Sequence, residues 1–325
     1  RMRSMQTFLS IFLTNNYPDH IMNRQNTMDK KIGLSYLIVT RNKLPYLRIT
    51  LQKIISQKKP DEEILVADGA STDGTGNYLA GLKENGKIDY FVSEPDFGVA
   101  HALNKLILIA KGDLFMSVPD DDAFNFSIVA KCKEFMLEHT EFDLVCTEGG
   151  VLYPASGQNH GYTMRALNFV EDYKKWQKNH TPFPFCELGQ IMRRSSLPVL
   201  GLRDIAIRRA DTEFSLRVTS GKTKIAWYSG YMYVNILNEQ SVSKVYMKQM
   251  KEETDRLNKY YLGKNRDLFI WERLKVLKNK IRSALITKKR QTNILGGESW
   301  QTLANFAEKW LMEKNAETKP EFIYN

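Results

Sequence analysis

The chain has 325 residues, 42% hydrophobic and 26% charged, which is enough for one large domain or two smaller ones with a real core. Cys132, Cys146 and Cys186 stand in no CxxC spacing and the five histidines form no HExxH, so a disulfide framework, a zinc ribbon and a zinc hydrolase are disfavoured and a reducing compartment is favoured. The net charge of +10 suits nucleic acid, an anionic membrane surface or a phosphorylated substrate, and no run of about 18 apolar residues offers a transmembrane helix.

At the N-terminus, Met5 to Leu13 (MQTFLSIFL) is a short apolar run behind Arg1 and Arg3. It has the shape of a signal peptide's apolar core, but Asn15 to Asp19 carries no small-residue cleavage site. The expectation is a native start at Met22 or Met28, with residues 1–27 an extension of little role.

Leu34 to Thr40 (LSYLIVT) reads as a buried strand, followed by the polar loop Arg41-Asn42-Lys43. Pro45 suits the first turn of a helix, and Leu47, Leu51, Ile54 and Ile55 recur at helical spacing. Glu63 to Ala67 is strand-like and ends at Asp68-Gly69. Turn residues Ala70 to Gly74 lead into a helix from about Thr75 to Lys83. Asp89 to Ser93 is a third strand, Glu94 to Gly98 a loop, and Val99 to Ala110 a helix. Leu114 to Val118 is a fourth strand, stopped by Pro119. Asn125 to Glu138 reads as a helix and Phe142 to Thr147 as a fifth strand. This alternation predicts a mainly parallel sheet with helices on both faces, with ligands at the carboxyl ends of the strands. Thr40 and Arg41, Asp68, Glu94 to Asp96, and Asp120 to Asp122 all fall at such ends.

Asp120, Asp121 and Asp122 are three adjacent like charges, which raise one another's proton affinity. An acidic loop at a strand end is the plain reading. The alternative is a site for a hard divalent cation, which takes oxygen ligands and bridges carboxylate to phosphate. No GxGxxG follows the first strand and no GxxxxGK[ST] is present, so dehydrogenase-type and P-loop sites lack support.

Four segments resemble, in order and spacing, a family 2 glycosyltransferase of the GT-A fold: Tyr36 to Asn42 (YLIVTRN), Ile64 to Thr75 (ILVADGASTDGT), Ser93 to Gly98 (SEPDFG) with Ala102-Leu-Asn104, and Gly112-Asp113 running into Asp120-Asp-Asp122. The resemblance is strongest over about residues 34–125 and continues more weakly to about 230. It implies that Asp68 accepts the uracil N3–H of a UDP-sugar, that Thr40 and Arg41 wall the nucleotide pocket, and that Asp96 lies in the loop closing over it. It further implies that Asp120 and Asp121 face ribose and diphosphate and that Asp122 ligates Mn²⁺ or Mg²⁺ in a DXD-type motif. Arg208 to Arg217 resembles the helix that carries the family's base, which makes Asp211 the catalytic base of an inverting transfer, with Asp204 a weaker rival. The family shows Glu-Asp where this chain has Ala210-Asp211. Relatives often carry Asp where His101 stands, and His-Gln where Glu187-Leu188 stand. Arg193 and Arg194 face either phosphate or solvent.

Ile270 to Arg290 sets eight Lys or Arg residues against Glu272, with Ile270, Leu274, Leu277, Ile281 and Leu285 in one stripe. Such a helix lies on an anionic membrane interface or packs against protein. Ser299 to Met312 reads as a further, packing helix. The expected organisation is an N-terminal extension (1–27), a GT-A catalytic domain (28–235, with a nucleotide-sugar half 28–125 and an acceptor half 126–235) and a basic helical C-terminal extension (236–325). The resemblance implies a cytoplasmic enzyme, peripheral on the inner face of the membrane, acting on a glycan or lipid-linked acceptor in surface-polysaccharide synthesis. Nucleic acid is not an expected partner, because the acids sit at the cleft and the bases in the tail. The rivals are an inactive nucleotide-sugar-binding relative and a sugar nucleotidyltransferase, although Thr40 to Pro45 lacks the glycines of the latter.

Overall fold

The structure, a computed structural model, describes residues 31–154, 162–238, 246–263 and 299–325. The expected extension 1–27 and the basic stripe 270–290 lie outside the described residues. Strand β1 (Leu34–Thr40) is apolar on both faces because it lies in mid-sheet. The parallel strands β2 (Glu62–Asp68) and β4 (Leu114–Ser117) flank it, and β3 (Tyr90–Ser93) continues the parallel order beyond β2. Alternate residues of β1 face opposite sides. Tyr36 and Ile38 pack with α1 (Leu44–Gln57), α2 (Thr75–Glu84) and α4 (Phe126–Glu138), while Leu37 packs with α3 (Val99–Ile109).

Two helix starts share one carboxylate. Asp73 Oδ2 accepts the backbone N–H of Leu44 at 2.9 Å, and Asp73 Oδ1 accepts the hydroxyl of Thr75 at 2.6 Å. Burial works against its charge, but the bonds from Thr75 and Leu44 outweigh it and hold its pKa below the usual carboxylate value. The loops after β1 and β2 are thereby tied together. Asn125 caps α4, its side-chain oxygen accepting Ser127 N at 3.1 Å.

In the second half, β8 (Gln190–Arg193) runs antiparallel between β4 and β6 (Leu144–Pro154), and β9 (Ile225–Ile236) runs parallel to β6. The full path is β10 (Phe322–Ile323)-β9-β6-β8-β4-β1-β2-β3, with β5 (Ala123–Phe124) on β9 and β7 (Tyr162–Leu167) on β6, and the helices α5 (Val170–Asn179) and α6 (Leu197–Leu200) fall between β7 and β9 in the chain. The expected fifth strand thus runs seven residues beyond Thr147, to Pro154. Beyond Thr147, pairing of Glu148-Gly-Gly150 with β9 resumes after an irregularity at Glu148. Glycine is required at position 149 because an added Cβ would meet the Tyr233 ring at 2.2 Å.

The C-terminal segment returns to this sheet. Ala304, Ala307 and Leu311 of α9 (Trp300–Thr318) pack with Tyr231, Val234 and Ile236, and β10 (Phe322–Ile323) pairs antiparallel with β9. From Ile32 onward the chain forms one compact unit.

Leu311 is 0% exposed in this seam, so Leu311→Ala is expected to cost about 2–4 kcal/mol. Leu108→Ala, at a position 67% exposed, should stay within about 0.5 kcal/mol. Equilibrium urea unfolding of both variants checks this, and equal losses would mean that α9 is not part of the cooperative core.

Candidate active site

The parallel strands deliver their last residues to one edge. The β1–β2 register sets Thr40 opposite Asp68, and the β2–β3 register sets Asp68 opposite Ser93. Asp68 is buried. Its carboxylate accepts Ser93 Oγ at 2.6 Å, Ser71 N at 3.1 Å and the Ser71 hydroxyl. Next to it, a Cβ on Gly69 would lie 2.8 Å from Asp96 Oδ2 and 3.2 Å from Arg41 Cδ, so Arg41 and Asp96 close over this glycine. Asp96 Oδ1 in turn accepts Gly98 N at 2.7 Å. Asn42 adopts a left-handed φ of 52° and accepts Thr72 N at 2.8 Å, joining the loops after β1 and β2. Thr40, Arg41, Asp68 and Asp96 therefore gather in one place.

The acidic triplet arrives beside them from β4, and all three carboxylates are buried. Lys43 Nζ lies 3.4 Å from Asp120 Oδ1 and contacts Asp121 Oδ2, which also accepts Asn238 Nδ2 at 2.7 Å. Burial alone would lower the Lys43 pKa, but Asp120 and Asp121 reverse this and hold its ammonium above the usual lysine value. Burial, followed by the charge of Asp121, pushes Asp120 up to about 7, and the same two causes push Asp122 well above its usual value.

Asp122, the residue expected to ligate the metal, faces β9 in the structure. Its Oδ1 accepts Ile236 N at 2.8 Å and Asn235 Nδ2 at 3.0 Å, and its Oδ2 lies 3.2 Å from the same amide. This carboxylate is turned onto β9 as a strand anchor, and Asp121 and Asp120 are left facing Lys43. Among the described residues no three His, Cys, Asp or Glu side chains are grouped to hold a metal ion by themselves. Two carboxylates nevertheless fit a cation such as Mg²⁺, which needs only one or two from the protein when phosphate oxygens supply the rest. The Thr40 hydroxyl adds an oxygen. It is buried near Asp120, close enough to favour that residue's ionised form but outside hydrogen-bond geometry, and so it is left without a partner.

Asp211 sits in the first turn of α7 (Ala210–Ser220) and is partly buried. Burial and then the charge of Glu187 raise its pKa above the carboxylate value. The Cys186 thiol is pushed up to about 12 chiefly by burial, with smaller contributions from the charges of Asp211 and Asp122. Glu187 accepts Arg203 Nε at 2.9 Å, and the Arg203 guanidinium stacks 3.4 Å from the Phe214 ring centre. Asp204 instead accepts Ala206 N at 2.8 Å in its own exposed loop. Arg193 does not face phosphate. It donates to the carbonyls of Phe142 at 2.8 Å and His139 at 3.0 Å, below the end of α4, while Arg194 is exposed.

Sequence reasoning missed Lys43, Asn235 and Asn238. Lys43 is an ordinary loop lysine until the strand order sets it beside carboxylates 77 and 78 residues away. It also missed Glu253 on α8 (Met247–Leu262), which accepts Arg208 N at 2.8 Å and Arg209 N at 2.9 Å just before α7.

A family model for "Glycosyl transferase family 2" matches residues 35–200, just over half of the 325-residue chain. Poly-beta-1,6-N-acetyl-D-glucosamine synthase of Staphylococcus epidermidis is 30% identical over 96 residues, which are 28% of this chain and 23% of that protein. TuaG of Bacillus subtilis, a glycosyltransferase assigned to teichuronic acid biosynthesis, is 28% identical over 108 residues, 33% of this chain and 43% of that protein. The matched stretch thus spans less than half the length of either relative. Among solved structures, the mannosyltransferase PcManGT of Pyrobaculum calidifontis, in complex with GDP-Man and Mn²⁺, has a TM-score of 0.50 at 16% identity over 88% of this chain and 87% of that one. S. aureus TarS 1–349 in complex with UDP has a TM-score of 0.50 at 16% identity over 71% of each chain. The structural likenesses establish the GT-A fold.

The raised carboxyl pKa values set a sign. The ordinary value is 3.8 and Asp120 stands near 7, so the folded chain holds protons that the unfolded chain has already released. The contribution of this site to stability should fall as pH rises from about 4 to about 7. Asp122→Asn keeps an oxygen for Ile236 N and removes the repulsion with Asp121, so it should melt above wild type at pH 8 and close to it at pH 4. Thermal unfolding followed by circular dichroism tests this. A lower melting temperature at pH 8 would show that the Asp122 charge is not a liability.

Proposed function

The chain belongs to glycosyl transferase family 2, and from that premise we propose that it moves a sugar from a nucleotide-diphospho-sugar, UDP-linked, to a hydroxyl of a glycan or lipid-linked acceptor in surface-polysaccharide synthesis. The observation that carries the reading is the gathering of Thr40, Asp68 and the Asp120–Asp122 triplet at the ends of adjacent parallel strands. The named products of the relatives, a polymer of N-acetylglucosamine and teichuronic acid, support the polysaccharide setting. In this reading 28–125 forms the nucleotide-sugar half and 126–235 the acceptor half of the catalytic unit.

The proposed division of labour follows from the chemistry of each group. Asp68, ordered by Ser71 and Ser93, accepts the uracil N3–H, and Thr40, Arg41 and Asp96 enclose the base and ribose. Asp120 and Asp121 lie at the diphosphate, where they would hold Mn²⁺ or Mg²⁺. A divalent ion there supplies Lewis-acid neutralisation of the charge that grows on the leaving diphosphate. Asp211 takes the proton of the acceptor hydroxyl as the new bond forms at the anomeric carbon on the face opposite the leaving group, so the configuration inverts. Because its pKa is raised, Asp211 is lost as a base earlier on acidification than an ordinary carboxylate. No helix among the described residues is long and apolar enough to cross a membrane. A lipid-linked acceptor would then be met at the cytoplasmic face of the membrane, with residues 270–290 supplying basic contacts.

The test is UDP release from a panel of UDP-sugars in Mn²⁺, Mg²⁺ or EDTA, for wild type, Asp121→Ala and Asp211→Ala. One donor should release UDP in a metal-dependent way, and Asp121→Ala should fall by about a hundredfold. Asp211→Ala should keep slow donor hydrolysis but lose transfer once an acceptor is supplied. UDP binding without turnover of any donor would point to the inactive relative. The absence of both binding and release would reject the UDP reading.

A further inference from the structure

Lys43 is the feature of the site that the family resemblance leaves unexplained. Its backbone is pinned, because its carbonyl accepts Tyr46 N at 3.0 Å and Leu47 N at 2.9 Å at the start of α1. Its four-carbon stem then carries the ammonium to two buried carboxylates at once. Asp121 Oδ2 is shared between Lys43 and Asn238, Asp122 is committed to β9, and the orphaned Thr40 hydroxyl lies alongside. One positive charge is therefore set among three buried carboxylates. Resting on the donor reading above, we propose that Lys43 is a tethered counter-cation for Asp120 and Asp121 and competes directly with a divalent cation for the same oxygens.

The physical argument is charge balance. Without Lys43, the adjacent carboxylates would draw a divalent cation strongly in the absence of any nucleotide. With Lys43 present, the ion must displace an ammonium already in contact with Asp121. A displaced buried ammonium needs a new anionic partner, and a nucleotide diphosphate carries the phosphate oxygens to provide it. Metal and nucleotide should then bind with positive coupling, each making the other's binding tighter. An apo enzyme of this design holds little metal until its donor arrives.

The experiment is a Mn²⁺ titration of the full chain, reading free Mn²⁺ by its electron paramagnetic resonance signal with and without UDP. Wild type should bind Mn²⁺ weakly alone and more tightly with UDP. Lys43→Met should tighten binding of Mn²⁺ alone by about tenfold and reduce the gain from UDP. Lys43→Arg keeps the charge and should behave like wild type. If Lys43→Met loses the native circular dichroism spectrum, Lys43→Gln takes its place. Unchanged or weaker Mn²⁺ affinity in a folded, neutral variant overturns the inference, as does the absence of Mn²⁺ binding in every protein. UDP calorimetry of wild type tests the donor reading separately, because the Mn²⁺ result without nucleotide decides the role of Lys43 by itself.

Discussion

Burying Asp120, Asp121 and Asp122 side by side sets the terms for everything around them. In a medium of low dielectric, neighbouring carboxylates repel strongly and each also loses its hydration. The chain meets this with partners drawn from distant places. Lys43 comes from the loop after β1, the Asn235 amide and the Ile236 N–H from the end of β9, and Asn238 from just beyond it. None of these can act unless β4, β1 and β9 are already assembled. The acidic site is therefore a product of the whole sheet rather than of the loop that contains it. It is also a source of instability that a bound cation would relieve.

The helix that carries Asp211 is held by a second network, which draws on α8. Glu253 of α8 receives the two backbone N–H groups that precede α7, and Tyr261 donates to Glu213 at 2.8 Å on the same helix. Arg217 pairs with Glu213 at 2.9 Å and also reaches the carbonyl of Leu202 at 2.8 Å. From the other side, Asn104 of α3 clasps the backbone of Arg203 at 2.8 and 2.9 Å, and Arg203 holds Glu187. The helix that carries Asp211 is thus fixed from both α3 and α8. This couples the segment after 236 to the proposed chemistry through hydrogen bonds rather than through membrane affinity.

Strand and helix identity in the first half was legible because each element carries its own signal. The run LSYLIVT has no polar alternation because both faces of β1 are covered. The ends of β2 and β4 were marked by Asp-Gly and Val-Pro. What could not be read was whatever depended on a partner far away in sequence. Arg193 and Arg194 look alike in the chain, and only the fold sends one into the carbonyls of Met136, Phe142 and His139 and the other to solvent. The Glu-Gly-Gly in β6 hides a strand because its glycines serve the aromatic rings of Tyr233 and Trp310, which lie more than eighty residues on. Lys43 was passed over for the same reason.

The position of Asp122 carries that reasoning one step further. β5 is only two residues long, Ala123 opposite Val234 and Phe124 opposite Tyr233. Asp122 precedes it, and its side chain takes the N–H of Ile236 as a further rung of the same ladder. A side-chain oxygen here replaces a backbone carbonyl, as it does at helix caps and turns. That substitution fixes which carboxylates of the triplet face Lys43. A sequence of three identical residues contains no such distinction. It is created by β9, whose contact with Asp122 is made across more than a hundred residues of intervening chain.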